Sequence, residues 1–188
     1  MTILDGVLIV LGVLVIILCT MDGLLRSITT LVSFYLITTA TGLLTLATDM
    51  LHGIARALAD LVGGRIPSMV TTQTVIFAGL TVPLFVGSYF VGKVIFRETT
   101  LPKLKVFDNI FGAIVGIVLA LLLMAVIYNT WGFAVSVRWS NVQAWYTMRV
   151  AYLGSFLRPY LRETLLIFRP LYLLFRSIDY PPFFMLQA

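Results

Sequence analysis

Four stretches of this chain are apolar for about twenty residues at a time, and that decides which solvent the protein can fold in. They run from about residue 3 to 21, 28 to 47, 74 to 96 and 110 to 135. Crossing the ~30 Å hydrocarbon core of a bilayer takes about 20 mostly apolar residues in helix. Backbone groups in lipid must be satisfied within the segment, so helices are expected. The runs are continuous rather than ten-residue alternations, which argues against a β-barrel. Of the 188 residues 60% are hydrophobic and 11% charged, whereas a soluble domain carries about 25% charged residues to face water. The reading is an all-α membrane protein: a four-span transmembrane bundle over residues 1–135, followed by a distinct tail over 136–188.

Two segments outside the spans have their own character. Between spans two and three, Leu51, Ile54, Ala55, Leu58 and Leu61 recur at three- and four-residue steps, with Asp49, His52, Arg56 and Asp60 opposite them. This predicts a short amphipathic interfacial helix over 49–62, ended by Gly63-Gly64. His52 falls on its polar face, as a solvated imidazole or a pigment or metal ligand. The tail interleaves Trp and Tyr with six arginines, the composition that the headgroup region selects. Its longest apolar stretch is interrupted by Arg169-Pro170, so interfacial helices are expected in place of a fifth span. Arg158, Arg162, Arg169 and Arg176 would share an arc of about 40° on one continuous α-helix. Such a stripe is either a wet edge of snorkelling side chains or a docking line for acidic lipids or an acidic partner.

Catalysis is not expected. No ionisable residue lies near the middle of a span, where one would mark an ion path or proton relay. Asp5, Asp22, Arg26, Lys93, Arg97 and Asp108 fall at or close to predicted span ends, where capping and snorkelling account for them. With one histidine and one cysteine, Cys19, there is no nucleophile–His–acid set, zinc motif or disulfide framework, and no Gly-rich phosphate loop. Cys19 reads as a small buried filler, with a redox or lipidation role as the alternative. No cofactor is expected. The first run lacks the basic n-region and small-residue cleavage site of a signal peptide, so a retained span is expected. The net charge of +5 suits anionic headgroups better than nucleic acid, because the positive residues are scattered between apolar runs.

The spans do carry small residues at helix-packing steps. Gly112, Gly116 and Ala120 are four apart, as are Gly79, Pro83 and Gly87, with Pro83 expected to kink the third span. Lipid gives no hydrophobic drive for helix association, so close approach through small residues must supply it. In the second span Thr38, Thr41, Gly42 and Thr45 form a small, hydroxyl-bearing surface, for packing or for a solute path.

Leu4-Asp5-Gly-Val-Leu-Ile-Val, then Met21-Asp22-Gly23-Leu-Leu-Arg26, resembles the opening of the colicin V production protein (CvpA) family. There an Asp starts span one and a Gly-x-x-Arg turn precedes span two. Phe107-Asp108-Asn-Ile-Phe-Gly112-Ala-Ile-Val-Gly116 resembles the family's Asp-x-x-x-Gly-x-x-x-Gly entry to the last span. The similarity covers roughly residues 3 to 165. Asp22 precedes Gly23 where the family usually has Arg, Leu119-Ala120 stands where it has a second Arg-Gly, and Ser27 replaces a common Glu. The resemblance implies Asp5, Gly23, Arg26 and Asp108 as motif residues. It also implies a bacterial inner-membrane protein without assigned catalysis, linked to secretion or envelope maintenance.

The expectation is therefore a non-catalytic scaffold or accessory subunit of a larger bacterial membrane complex. Its partners would be lipid headgroups and other membrane subunits or further copies of itself, with no nucleic acid. An oligomeric small-solute channel or transporter is the alternative. Both termini fall on one side. That side holds 8 Lys and Arg against 5 on the other, a lean toward a cytoplasmic C-terminus.

Overall fold

The computed structural model describes residues 2–46, 53–54, 57, 69–96, 105–139 and 141–168. Among these the regular structure is helical: α1 (Ile3–Leu44), α2 (Met69–Ile95), α3 (Lys105–Ala134), α4 (Val142–Leu153), α5 (Arg158–Thr164) and a closing 3₁₀ turn (Leu165–Phe168). Three helices are long and apolar enough to cross a membrane: α1, α2 and, over Val106–Ala134, α3. Their hydroxyl residues stay inside helix by returning bonds to the preceding turn. Thr20, Thr30, Thr38 and Thr39 each donate to the carbonyl four residues earlier, which satisfies a polar group in apolar surroundings.

Sequence reading expected a six-residue connection, 22–27, between the first two spans. The chain instead remains helical from Ile3 to Leu44 except at Gly23, whose φ of 79° and ψ of 178° are non-helical. This region of backbone space is essentially open to glycine alone, and one residue there turns the helix back on itself. The Ser27 hydroxyl donates to the Cys19 carbonyl at 2.9 Å. Eight residues of straight helix would rise about 12 Å, so α1 is two arms, residues 3–22 and 24–44, folded against each other. Asp22, Arg26 and Ser27 look like loop residues in sequence, but here they lie within the arms. The other expected bounds shift as well. Both α2 and α3 begin five residues earlier than predicted, and Pro83 lies inside α2.

Cross-contacts fix how the helices lie. Arm one runs antiparallel to α3: Gly23 lies by Asp108, Cys19 by Gly112 and Gly116, and Gly12 by Ala120 and Met124. Arm two runs antiparallel to α2, with Gln73 donating to the Thr45 carbonyl, Thr41 against Thr81 and Phe34 edge-on to Phe85. Leu8, Phe34, Phe77, Leu119 and Ala125 are buried where the helices meet. Outward residues such as Leu14, Ile17, Leu36, Leu84, Phe90 and Ile114 are apolar and about half or more exposed.

The tail packs against this bundle. Ser155 meets Asp5 at the far end of arm one. Further on, Tyr35 donates to the Ile167 carbonyl at 3.0 Å and stacks on Phe168. Leu161, Leu165 and Phe168 are buried. The α-helix that carries Arg158 ends at Thr164 and tightens to 3₁₀. The continuous α-register assumed for the four-arginine stripe therefore stops short of Arg169. The interfacial helix expected over 49–62 falls outside the described residues except at Gly53, Ile54 and Ala57, which are helical.

Candidate functional site: two polar junctions at the bundle ends

The Gly23 turn leaves the first N–H groups of arm two without intrahelical partners. A residue from another helix supplies the cap. Asp108, in the first turn of α3, accepts the Leu24 N–H on Oδ1 at 2.8 Å. Its carboxylate occupies the space where a Cβ on Gly23 would stand, so glycine is required there for room as well as for φ. One and two turns along α3, Gly112 and Gly116 keep the backbones close. A Cβ on Gly112 would lie 2.6 Å from the Cys19 carbonyl oxygen, and one on Gly116 would lie 2.8 Å from the Cys19 Cβ. Ala120 continues the row, 1% exposed against Gly12.

A second set of charges closes the same end toward α2. Asp22 accepts the Tyr89 hydroxyl at 2.8 Å and lies 3.7 Å from the Lys93 ammonium and 3.9 Å from the Arg26 guanidinium. Arg26 points its Nε and Nη2 at the carbonyl of Phe96, the residue that follows α2, with the Nε at 2.7 Å. A cation is favoured at this point by the dipole of the helix C-terminus. Gly23, Arg26 and Asp108, three of the motif residues, are thus brought together with Gly112 and Gly116. Sequence reading missed Tyr89 and the joint use of Asp22 by α1 and α2.

Asp5 lies at the opposite end. Its carboxylate is buried and accepts the Thr2 N–H at 2.7 Å, the Thr2 hydroxyl at 2.9 Å and the Ser155 hydroxyl at 2.5 Å. It forms a capping box with Thr2 and a latch for the tail. Beside it the Tyr128 hydroxyl donates to the Tyr152 carbonyl at 3.0 Å, and the Tyr152 ring covers Gly132, where a Cβ would be 2.5 Å from ring carbon. No spacing links Asp5 to Ser155, 150 residues away; its place at a span start and in the resembled motif marked the residue but not its partner.

The remaining candidates divide. Gly79 and Gly87 are exposed, with nothing within 4 Å of an added Cβ among the described residues. Thr38, Thr41 and Thr45 are buried, each hydroxyl bonded to a helix carbonyl and that of Thr41 also 2.7 Å from Thr81. Arg158 lies 6.0 Å from the Tyr152 ring centroid. Arg162's side chain, Arg169, Arg176 and His52 lie outside the described residues. Among the described residues no three His, Cys, Asp or Glu side chains are grouped as around a metal ion.

Comparison with protein-family models, curated proteins and solved structures gives no match. The class defined by the fold is accordingly an all-helical chain with three helices long and apolar enough to cross a membrane.

Proposed function

We propose that this chain is a non-catalytic membrane scaffold or accessory subunit of the CvpA kind, crossing a bacterial inner membrane four times. Each arm of α1 has about 20 residues, which gives about 30 Å of helix, one hydrocarbon thickness. The hairpin at Gly23 would then contribute two spans, and α2 and α3 one each. Tail and termini would lie on one side, with the tail near the headgroups.

The observation that carries the reading is how the polar groups are used. At one end Asp22 and Arg26 hold α1 to the end of α2 and Asp108 holds α3 to α1, and at the other Asp5 binds the tail. Charge is spent on holding helix ends, and the outward faces are apolar. The Thr38–Thr41–Thr45 row, buried with each hydroxyl bonded within its own helix and that of Thr41 also to Thr81 of α2, supports helix packing over a solute path.

Purification in a gentle detergent followed by mass spectrometry tests the function. A defined homo-oligomer or a fixed set of co-purifying membrane subunits is the expected result. Conduction of small solutes by a purified homo-oligomer in proteoliposomes would favour the channel instead.

A further inference from the structure

The face that α4 turns away from the bundle is apolar. Val142, Tyr146, Val150 and Leu153 are 44%, 64%, 49% and 49% exposed. At about 100° per residue they share an arc of about 80°. Gln143 and Thr147 flank this arc on one side and Arg149 on the other. The opposite face is clamped to the end of α3. The Trp145 indole donates to the Val135 carbonyl at 3.0 Å, the Trp131 indole reaches the Met148 carbonyl at 3.4 Å, and Tyr128 holds Tyr152. These pairs run 135 to 145 and 128 to 152, so α4 lies antiparallel beside the last turns of α3.

That placement sets a depth. Asp108 marks one end of the bundle, and about 30 Å of helix, 20 residues, leads to Tyr128. If Asp108 stands at one edge of the hydrocarbon, α4 begins its contacts at the other edge, where Trp131, Trp139 and Trp145 cluster as interfacial tryptophans do. An apolar arc at this level, flanked by an arginine that lies 4.9 Å over the Trp145 ring, fits a helix whose last turns reach the headgroup–acyl boundary, with the charged head of the arginine kept among the headgroups.

We propose that this outward face of α4 is a phospholipid-insertion surface, with Leu153 and Val150 at the headgroup–acyl boundary, Tyr146 and Arg149 among the headgroups, and Thr147 turned to water. The inference rests on the membrane reading above. It differs from the Arg158–Arg176 stripe, because it assigns lipid contact to an apolar arc on a different helix.

Single nitroxide labels in the full chain, with Cys19→Ala as background, test it in phosphatidylethanolamine–phosphatidylglycerol vesicles. Labels go on V150C and T147C, with L84C and I114C as controls on the outward faces of α2 and α3. Collision with oxygen should exceed collision with an aqueous nickel chelate at V150C, L84C and I114C, and the order should reverse at T147C. Chelate access at V150C, with both controls still lipid-exposed, would overturn the insertion surface and leave the bundle standing. A V150C label shielded from both quenchers would overturn it too, since protein would then cover the face. Chelate access at L84C and I114C would remove the membrane reading itself, and this proposal with it.

Discussion

At Gly23 two demands meet on one atom that is missing. The φ of 79° with ψ near 180° costs a side-chain-bearing residue about 1–3 kcal/mol. An added Cβ would also displace the Asp108 carboxylate from Leu24, a cap worth about 1 kcal/mol. Gly23→Ala should therefore lose roughly 2–4 kcal/mol, the sum of those two costs. Gly6→Ala, with open space around its Cβ and helical backbone, should be neutral or gain up to about 1 kcal/mol. Cys19 is the single cysteine and is buried, so a thiol-reactive dye in detergent reads unfolding of either variant directly. Equal melting of the two would show that the turn is not strained. Asp108→Asn keeps an acceptor for Leu24 and should melt above Asp108→Ala; the reverse order would remove the cap.

Between elements the decisive quantity is how near two backbones come. Gly116→Leu drives a side chain into Cys19 and Ile16, and overpacking of this kind costs about 1–3 kcal/mol or more where backbone must move. Val118→Leu, on an exposed face, should melt like the parent, as should Gly87→Leu. Loss of stability at Gly87 equal to that at Gly116 would contradict the packing described.

That contrast also marks how much could be read from the residues. Gly112–Gly116–Ala120 and Gly79–Pro83–Gly87 have identical four-residue steps, and spacing says only that each set shares a face. Which face meets a helix depends on tertiary placement, and here only the α3 set lies against arm one. Helix existence was legible because apolar runs of that length have few other solutions. The one-residue turn was not, because Asp22, Arg26 and Ser27 are polar residues satisfied within helices and by partners up to 70 residues away. The tail shows the same limit. Its aromatic and arginine content suggested interfacial helices, while the Asp5–Ser155 bond that pins it is a contact no local pattern encodes. Ser155→Ala removes a hydrogen bond to a carboxylate, worth about 1.5–3 kcal/mol. It should speed proteolysis within residues 138–160 of the detergent-solubilised protein before the bundle melts. Cleavage at the parent's rate would mean that other contacts hold the tail alone.

The described helices of the molecule form two antiparallel pairs, arm one with α3 and arm two with α2, joined at Gly23 and closed by polar junctions at both ends. Asp22, Arg26, Lys93 and Asp108 gather at one end and Asp5 with the tail at the other. This fits a bundle about one hydrocarbon thickness long between its polar ends. In the proposed membrane arrangement α1 crosses twice, out to Gly23 and back. Single cysteines placed at Met21, Asp60, Thr100 and Ala188 in a Cys19→Ala background, probed with a membrane-impermeant thiol reagent in intact cells and again after permeabilisation, test it most directly. Met21 and Thr100 should label from one side of the membrane and Asp60 and Ala188 from the other. Met21 and Asp60 on the same side would contradict it, because α1 would then not return across the bilayer after Gly23.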